Sequence, residues 1–435
     1  MENWFACDGR GMAYGAKPKA VTRRSFVRGG VMTALSAWFG ATALQHASFA
    51  DPDRTETRDS LIVLFLRGGA DCLSIVAPVG EDGYFRQRPT LALGKKDVLD
   101  LDGFFGLHPS LKGLYPFYRD GALAAVQAVG SGDKTRSHFE AKATMERGLL
   151  DDTESEKSGW LARYLAAQPT PQASPLRAVA FGSMLPDMLR GAPTTTVVRS
   201  IRDFRLNLPE ESPMASTLAT LYGTGEDAVI EAGRSTLTVL DALKKVDPTN
   251  YQPSNGAKYP DSELGQGLRQ VACLLRAKIG LEVACLDKGG WDTHVGQGTT
   301  QGWMAGLLSD VGDSVGAFAK DLGTTGMRRV TVLIMTEFGR RLQENSGLGT
   351  DHGRAAAMLV LGGGVNGGKV YGKWPGLEKS ALEEGIDLAV TTDYRQVLAS
   401  LVSARLDGHS LLDEVFPTMR GALTPLPGLF RPIGA

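Results

Sequence analysis

Two mostly apolar runs, LEVACL (281–286) and VTVLIM (330–335), each read as a buried β-strand, and each leads within a few residues into acids and histidines. A strand with no polar face must be covered on both sides, as happens to parallel strands in an α/β sheet. GGWDTH (289–294) follows the first run and TEFGR (336–340) the second. A third stretch, GTDHG (349–353), comes shortly afterwards and precedes another apolar run, AAMLVL (356–361). Ligands of open α/β sheets gather in the crevice beyond the carboxyl ends of the strands. Carboxylates and imidazoles brought together there are ordinary ligands of zinc and similar divalent cations. The pattern points to a metal-dependent hydrolase or a descendant of one.

The rest of the chain alternates strand and helix. LIVLFL (61–66), LAAVQAV (123–129) and RAVAF (177–181) read as further strands. Helices are expected over 110–120, started by His108-Pro109, over 264–279, and over 303–321, where apolar residues recur at i, i+3 and i+4. Repeated strand–helix–strand order predicts an α/β fold with a doubly wound, mostly parallel sheet flanked by helices. Polar, proline-bearing or charged stretches at 151–158, 168–175 and 246–262 read as surface excursions, the last as a long loop or a lid-like insertion.

The N-terminus carries a different signal. TRRSFVR (22–28) pairs two arginines ahead of an apolar stretch from Val31 to Leu44, and Ser48-Phe49-Ala50 offers small residues for cleavage. This is the pattern of a removable twin-arginine export signal. The apolar stretch is shorter than the ~20 residues of a membrane-spanning helix. The expected organisation is a leader over 1–50 and one α/β domain over 51–435, carried out by the twin-arginine translocase to a periplasmic or secreted location. Loss of the leader removes six basic and two acidic residues, which takes the formal charge from −1 to −5. That balance gives no electrostatic case for nucleic acid or an anionic membrane. Cys72, Cys273 and Cys285 then remain, an odd number that argues against a disulfide framework, although Cys273 and Cys285 could be bridged or could be two buried thiols.

Candidate site residues follow from the motifs. Asp71, after Arg67-Gly68-Gly69, is either a turn carboxylate capping a helix or a ligand at the sheet edge. Ser137 and His138 follow the strand at 123–129. Ser137 is a candidate nucleophile, or a helix cap facing Glu140, and His138 a ligand or acid/base. Asp292 and His294, two residues apart, can aim at one ion only in extended chain. Asp351 and His352 are adjacent and followed by a glycine. Glu337 is either a ligand or the ion-pair partner of Arg340 or Arg341. Arg67 and Arg354, beside ligand motifs, could supply positive charge to a tetrahedral anion. His108 and His409 read as a helix start and a surface turn.

Taken together, LRGGADCLSIVAPVG, SHFEA, GGWDTH, TEFGR, GTDHG with GGGVNGGKVYG, and TTDYRQVL resemble a bacterial family of twin-arginine-exported, sulfatase-like proteins, the domain of unknown function 1501. The resemblance spans roughly 58 to 420, and the family looks like a branch of the alkaline phosphatase superfamily. It implies an α/β sheet with a two-metal site, a Ser or Thr nucleophile, and phosphate or sulfate esters, including those of anionic glycans, as substrates. Carried over, it makes Asp71 the first acidic ligand, Asp351 and His352 the ligands of a Thr-x-Asp-His-Gly motif, and Asp292 and His294 an Asp…His pair. That pair is spaced Asp-x-His here instead of Asp-x-x-x-His. Asp393 stands where the superfamily usually has a histidine, and Glu337 competes with Asp351 for one place. Zinc is the implied metal, with manganese and calcium as alternatives. A non-catalytic periplasmic binding or assembly protein that keeps the fold is the other functional class. The sulfatase signature, Cys or Ser followed by x-Pro-x-Arg, is absent around the cysteines that follow the leader, so a formylglycine nucleophile is not expected.

Overall fold

The computed structural model describes residues 59–432, apart from 152, 171–173, 205–212, 226, 245 and 247; the expected leader lies outside the described residues. The central sheet contains β1 (Ser60–Leu66), β2 (Leu123–Gly130), β3 (Ala178–Phe181), β4 (Thr196–Val198), β5 (Val283–Lys288) and β6 (Val330–Thr336). A separate hairpin, β7 (Arg340–Glu344) and β8 (Thr350–His352), precedes β9 (Ala356–Gly362), β10 (Val370–Tyr371) and β11 (Thr392–Asp393), which rejoin the sheet. The order across the sheet is β10-β2-β9-β6-β1-β5-β3-β4, with β11 also beside β2. The pairings are parallel except those of β9, which runs antiparallel to both β2 and β6. The expected mostly parallel, doubly wound sheet is present.

Helices cover both faces, as strands without a polar side require. Along β1, Leu61, Val63 and Phe65 pack with Trp160 and Leu161 of α2 (Trp160–Ala167) and with Val397 and Leu401 of α5 (Tyr394–Arg405). The alternate residues Ile62, Leu64 and Leu66 join Leu268 and Val271 of α3 (Glu263–Arg276) and Val315 and Phe318 of α4 (Trp303–Met327). The period-2 alternation of side chains divides the apolar run between two cores. Each fully buried aliphatic side chain contributes about 1.5–3 kcal/mol. A further helix, α1 (His138–Arg147), follows β2.

The helix expected over 110–120 is instead a 3-10 turn, Pro109–Leu111, followed by a short helix, Tyr115–Arg119. Pro116 has no N–H to donate and fits only the first turn of a helix, so the helix restarts there. The described residues of the 246–262 stretch form a loop tied to α4: Tyr251, Tyr259 and the Ser254 amide all donate to the buried Asp321 carboxylate at 2.8 Å. Cys72, Cys273 and Cys285 are buried, and the Cys273–Cys285 bridge is not formed. Among the described residues no helix is long and apolar enough to cross a membrane.

Register sets up the site. Leu66 lies beside Lys288 and Thr336, so β1, β5 and β6 end together. The reversed β9 begins at that same edge, with Ala356 beside Val129 near the end of β2. The antiparallel strand therefore delivers its preceding loop, Asp351-His352, to the edge where the parallel strands deliver their following loops.

Candidate metal centre

Five segments meet at this edge, those after β1, β2, β5 and β6 and the hairpin before β9, and glycines let their backbones touch. Gly68 is left-handed (φ 124°), and a Cβ there would lie 2.7 Å from the Asp292 amide nitrogen. A Cβ on Gly349 would collide with the carbonyl group of His294. Any other residue at Gly349 would push the two loops of Asp292-His294 and Asp351-His352 apart, and any other at Gly68 would push the Asp292 loop off the turn that follows β1. Arg136 is also left-handed (φ 55°), a strained conformation for a residue with a Cβ, and its carbonyl accepts from His352 Nδ1 at 2.9 Å.

Each of three histidines is held from behind by an oxygen. His138 Nδ1 is 2.9 Å from Glu337 Oε1, His294 Nδ1 is 3.2 Å from Asp351 Oδ1, and His352 Nδ1 faces the Arg136 carbonyl. A carbonyl or an ionised carboxylate can only accept, so each Nδ1 carries the proton and each Nε2 of the neutral ring is left with a lone pair. Those Nε2 atoms gather around Asp292 Oδ1: 3.0 Å from His294, 3.0 Å from His352 and 3.4 Å from His138. The Nε2 atoms of His294 and His352 are 3.0 Å apart. His138 Nε2 is buried with no hydrogen-bond partner. Phe338 packs against both the His138 and His352 rings, at 4.9 and 5.0 Å between centroids, and fixes their planes.

These residues fit a divalent cation. Ligand atoms of His138, Asp292 and His352 lie within 4.8 Å of one another, and His294 Nε2 adjoins two of them. Nitrogen and oxygen ligands about 2.0 Å from a tetrahedral ion are themselves about 3.3 Å apart, close to the separations here. Without a cation, facing lone pairs repel. A carboxylate or carbonyl behind the ring is also the usual support of a metal-ligating histidine.

The electrostatics keep the Asp292 and Glu337 carboxylates ionised. Burial pushes the Asp292 carboxyl up, but the Arg340 guanidinium, 2.6 Å away, outweighs it and holds the carboxyl well below the usual carboxylate range. Burial also opposes ionisation of Glu337, and the His138 hydrogen bond and the Gly68 and Gly69 amides outweigh it. The Glu337 hydrogen bond raises His138. Burial lowers His352 and so favours its neutral, ligating form.

The other expected site residues are engaged elsewhere. Asp71 does not join the cluster: it is fully buried, bonded twice by Arg88 at 2.6 and 3.0 Å, and accepts from Ser74 and Gln297. Asp393 caps α5 and pairs with Arg395 at 2.6 Å. Arg67 is held by Glu146 and Asp287, at 2.6 and 2.8 Å. Arg354 bonds the Ser131 carbonyl and lies 3.3 Å from Glu383. Ser137 precedes α1, and its hydroxyl donates to Glu140. Each of these side chains is engaged by an opposite charge or an acceptor outside the cluster. Glu337 pairs with His138 instead of an arginine, and Arg340 pairs with Asp292.

Sequence reading did not single out Arg340 or Asn345 as builders of the site. Arg340, buried, bonds the carbonyls of Gly68, Gly69, Trp291 and Thr350, and so ties three loops around Asp292. Asn345 bonds both Asp351 Oδ1 and the His294 carbonyl at 3.0 Å. The arginine was visible in TEFGR; nothing in the sequence marked the asparagine.

Residues 58–405 match the family model described as protein of unknown function (DUF1501). No curated protein matches the chain. Among solved structures, Ps i-CgsB in complex with k-i-k-neocarrahexaose is similar at 12% identity over 85% of this chain and 78% of that one, with a TM-score of 0.36. The phosphonate monoester hydrolase of Agrobacterium radiobacter is similar at 12% identity over 80% and 73%, with a TM-score of 0.31. BT1596, a 2-O GAG sulfatase, is similar at 10% identity over 71% and 65%, with a TM-score of 0.26. Likeness this weak carries no inference about activity.

Proposed function

We propose that this chain, which belongs to the DUF1501 family of unknown function, is an exported metal-dependent hydrolase of phosphate or sulfate esters. The observation that carries the metal is the gathering of three imidazole Nε2 atoms around one Asp292 oxygen, each imidazole supported from behind. His138, Asp292 and His352 would hold the ion and leave a position for water, with His294 beside them and Glu337, Asp351 and the Arg136 carbonyl orienting the rings. A bound divalent cation, zinc first and manganese or calcium as alternatives, supplies Lewis acidity that lowers the pKa of water and stabilises charge on a tetrahedral ester. Arg340 keeps Asp292 ionised and in place. The ester class, including esters of anionic glycans, rests on the motif resemblance alone. With Ser137 turned to Glu140, water is the nucleophile in this reading.

A second reading, a non-catalytic periplasmic binding or assembly protein, draws on the engagement of Asp71, Asp393 and Arg354 away from the cluster. That leaves ligands for one ion where the superfamily pattern has two. Metal content and turnover separate the readings. The exported protein should carry about one equivalent of tightly bound metal, and a panel of phosphate monoesters, diesters and sulfate esters should reveal turnover that Asp292→Ala abolishes. Bound metal with no turnover on any ester selects the binding protein; no metal defeats the metal reading itself.

Export follows from the leader. The mature protein should begin near Asp51 as one α/β domain, and replacing Arg23 and Arg24 with Lys should leave it in the cytoplasm. Undiminished export of that variant would refute the assignment.

A further inference from the structure

We infer that Gln297, anchored on the Asp71–Arg88 pair, is a positioning residue that sets the spacing of the two ligand-bearing loops; this rests on the metal reading above. Gln297 is completely buried. Its Oε1 accepts from Thr293 Oγ1 and from Thr350 Oγ1, both at 2.8 Å. Thr293 stands between Asp292 and His294, and Thr350 immediately precedes Asp351 and His352. One amide oxygen therefore fastens both ligand loops, which are also joined directly by the Thr350 amide on the Thr293 carbonyl at 3.1 Å.

The other end of the amide is tied down as firmly. Gln297 Nε2 donates to Asp71 Oδ2 at 2.7 Å, and Arg88 bonds both Asp71 oxygens. The same guanidinium donates to the carbonyls of Leu342 and Arg341 at 2.8 Å, in the strand that carries Arg340. Arg340 in turn holds Asp292. The buried line Arg88–Asp71–Gln297 thus reaches every loop that contributes to the cluster except that of His138. A buried amide with both ends bonded cannot rotate without losing hydrogen bonds, so it transmits one fixed distance. Partners outside the ligand shell commonly change metal affinity 10–100-fold when removed. Gln297 acts through Thr293 and Thr350, which places it near the lower figure.

The experiment compares full-length Gln297→Met, Gln297→Glu and the double variant Gln297→Glu/Asp71→Asn with the wild type. Zinc affinity is read by competition with a chelator, and amide exchange of Thr350 in the metal-free protein. Gln297→Met should weaken zinc binding about tenfold and speed exchange at Thr350, while amides inside β1 stay protected. Gln297→Glu keeps the acceptor for both threonines but sets a carboxylate against Asp71, and should weaken zinc binding further. Adding Asp71→Asn restores one carboxylate and one amide in the pair, and should recover part of the loss. Asp321→Asn, in a buried network that touches no ligand loop, controls for general destabilisation and should leave affinity unchanged. Wild-type affinity in Gln297→Met overturns the inference, as does a double variant no better than Gln297→Glu alone. If the wild type binds no zinc, manganese or calcium, the metal reading has failed; unchanged Thr350 exchange with intact wild-type binding fails the positioning role alone.

Discussion

Asp292 and Asp71 both follow strands that end at one sheet edge, and both carry arginine, yet their surroundings are opposites. Around Asp71 four donors, two from Arg88 and one each from Ser74 and Gln297, meet the two oxygens, and the pair is wholly excluded from water. Around Asp292 the side chains are partly exposed, and three imidazole lone pairs converge with the carboxylate on a space with too few protons. A polar network whose donors and acceptors balance is a structural element; one with surplus lone pairs calls for a cation. The difference separates a candidate ligand, Asp292, from a scaffold carboxylate, Asp71, although the two look alike in the sequence.

The sharpest way to break this comparison is to unbalance the scaffold. Arg88→Met removes the guanidinium and leaves a buried carboxylate unpaired, which should cost roughly 3–5 kcal/mol in denaturant unfolding. A loss below about 1 kcal/mol would mean that water reaches Asp71 and that the network is not a closed one. Asp292→Ala makes the reverse change. It removes a partly exposed carboxylate from a lone-pair cluster, so metal affinity should fall by at least about 100-fold, or about 2.7 kcal/mol, with a smaller loss of fold stability than Arg88→Met measured without metal, because the buried Arg340 keeps its four carbonyl acceptors. Equal metal binding by variant and wild type would reduce the cluster to a polar network like that of Asp71.

Acid sharpens the contrast further. Arg88 and the Ser74 and Gln297 hydrogen bonds outweigh burial and hold the Asp71 carboxyl below its ordinary value. A depressed folded value means that the native state binds fewer protons than the unfolded chain. Its contribution is therefore complete above the unfolded pKa, ~3.9, and is lost as pH falls through the folded value. Asp71→Asn should flatten the acid limb of stability against pH by up to about 1.4 kcal/mol per pH unit. An acid limb as steep as that of the wild type would show that other carboxylates account for it.

How far the sequence could take this depends on what each feature requires. β1 and β6 were legible because an almost wholly apolar run of that length has few other homes. LEVACL was legible too, although its strand, β5, runs on to Lys288 and so carries Asp287 to the Arg67 side chain. Asp292, His294 and His352 were legible because glycines flank them where backbones crowd. The direction of β9 was not legible, since an apolar run looks the same in either orientation, and that direction is what brings Asp351-His352 to the site. Nor could Asp71 be told from a ligand: its fate depends on Arg88, seventeen positions on, and on Gln297, far along the chain, and neither belongs to a motif. Local pattern reveals which groups reach an edge, whereas their partners there depend on tertiary pairing.

Ser137 gives the smallest expected effect and the finest discrimination. It lies beside His138 and so beside the cluster, but its hydroxyl donates to Glu140 within the first turn of α1 and makes no capping bond to the backbone. A serine before a helix that only supports its first turn contributes about 1 kcal/mol or less. Ser137→Ala should therefore lower stability by no more than that, leave metal affinity unchanged, and slow any ester hydrolysis less than about threefold, equivalent to ~0.65 kcal/mol in the barrier. A covalent nucleophile behaves otherwise, because its loss removes the bond-forming atom and costs several powers of ten in turnover. A loss of more than about 100-fold with metal still bound would put Ser137 back as nucleophile and would mean that the hydroxyl leaves Glu140 when substrate arrives. The Glu140→Gln variant then decides whether that release is a working step. It weakens the hydroxyl's present partner without touching the metal ligands, so it should speed turnover if Ser137 must swing free and leave it unchanged if water does the work.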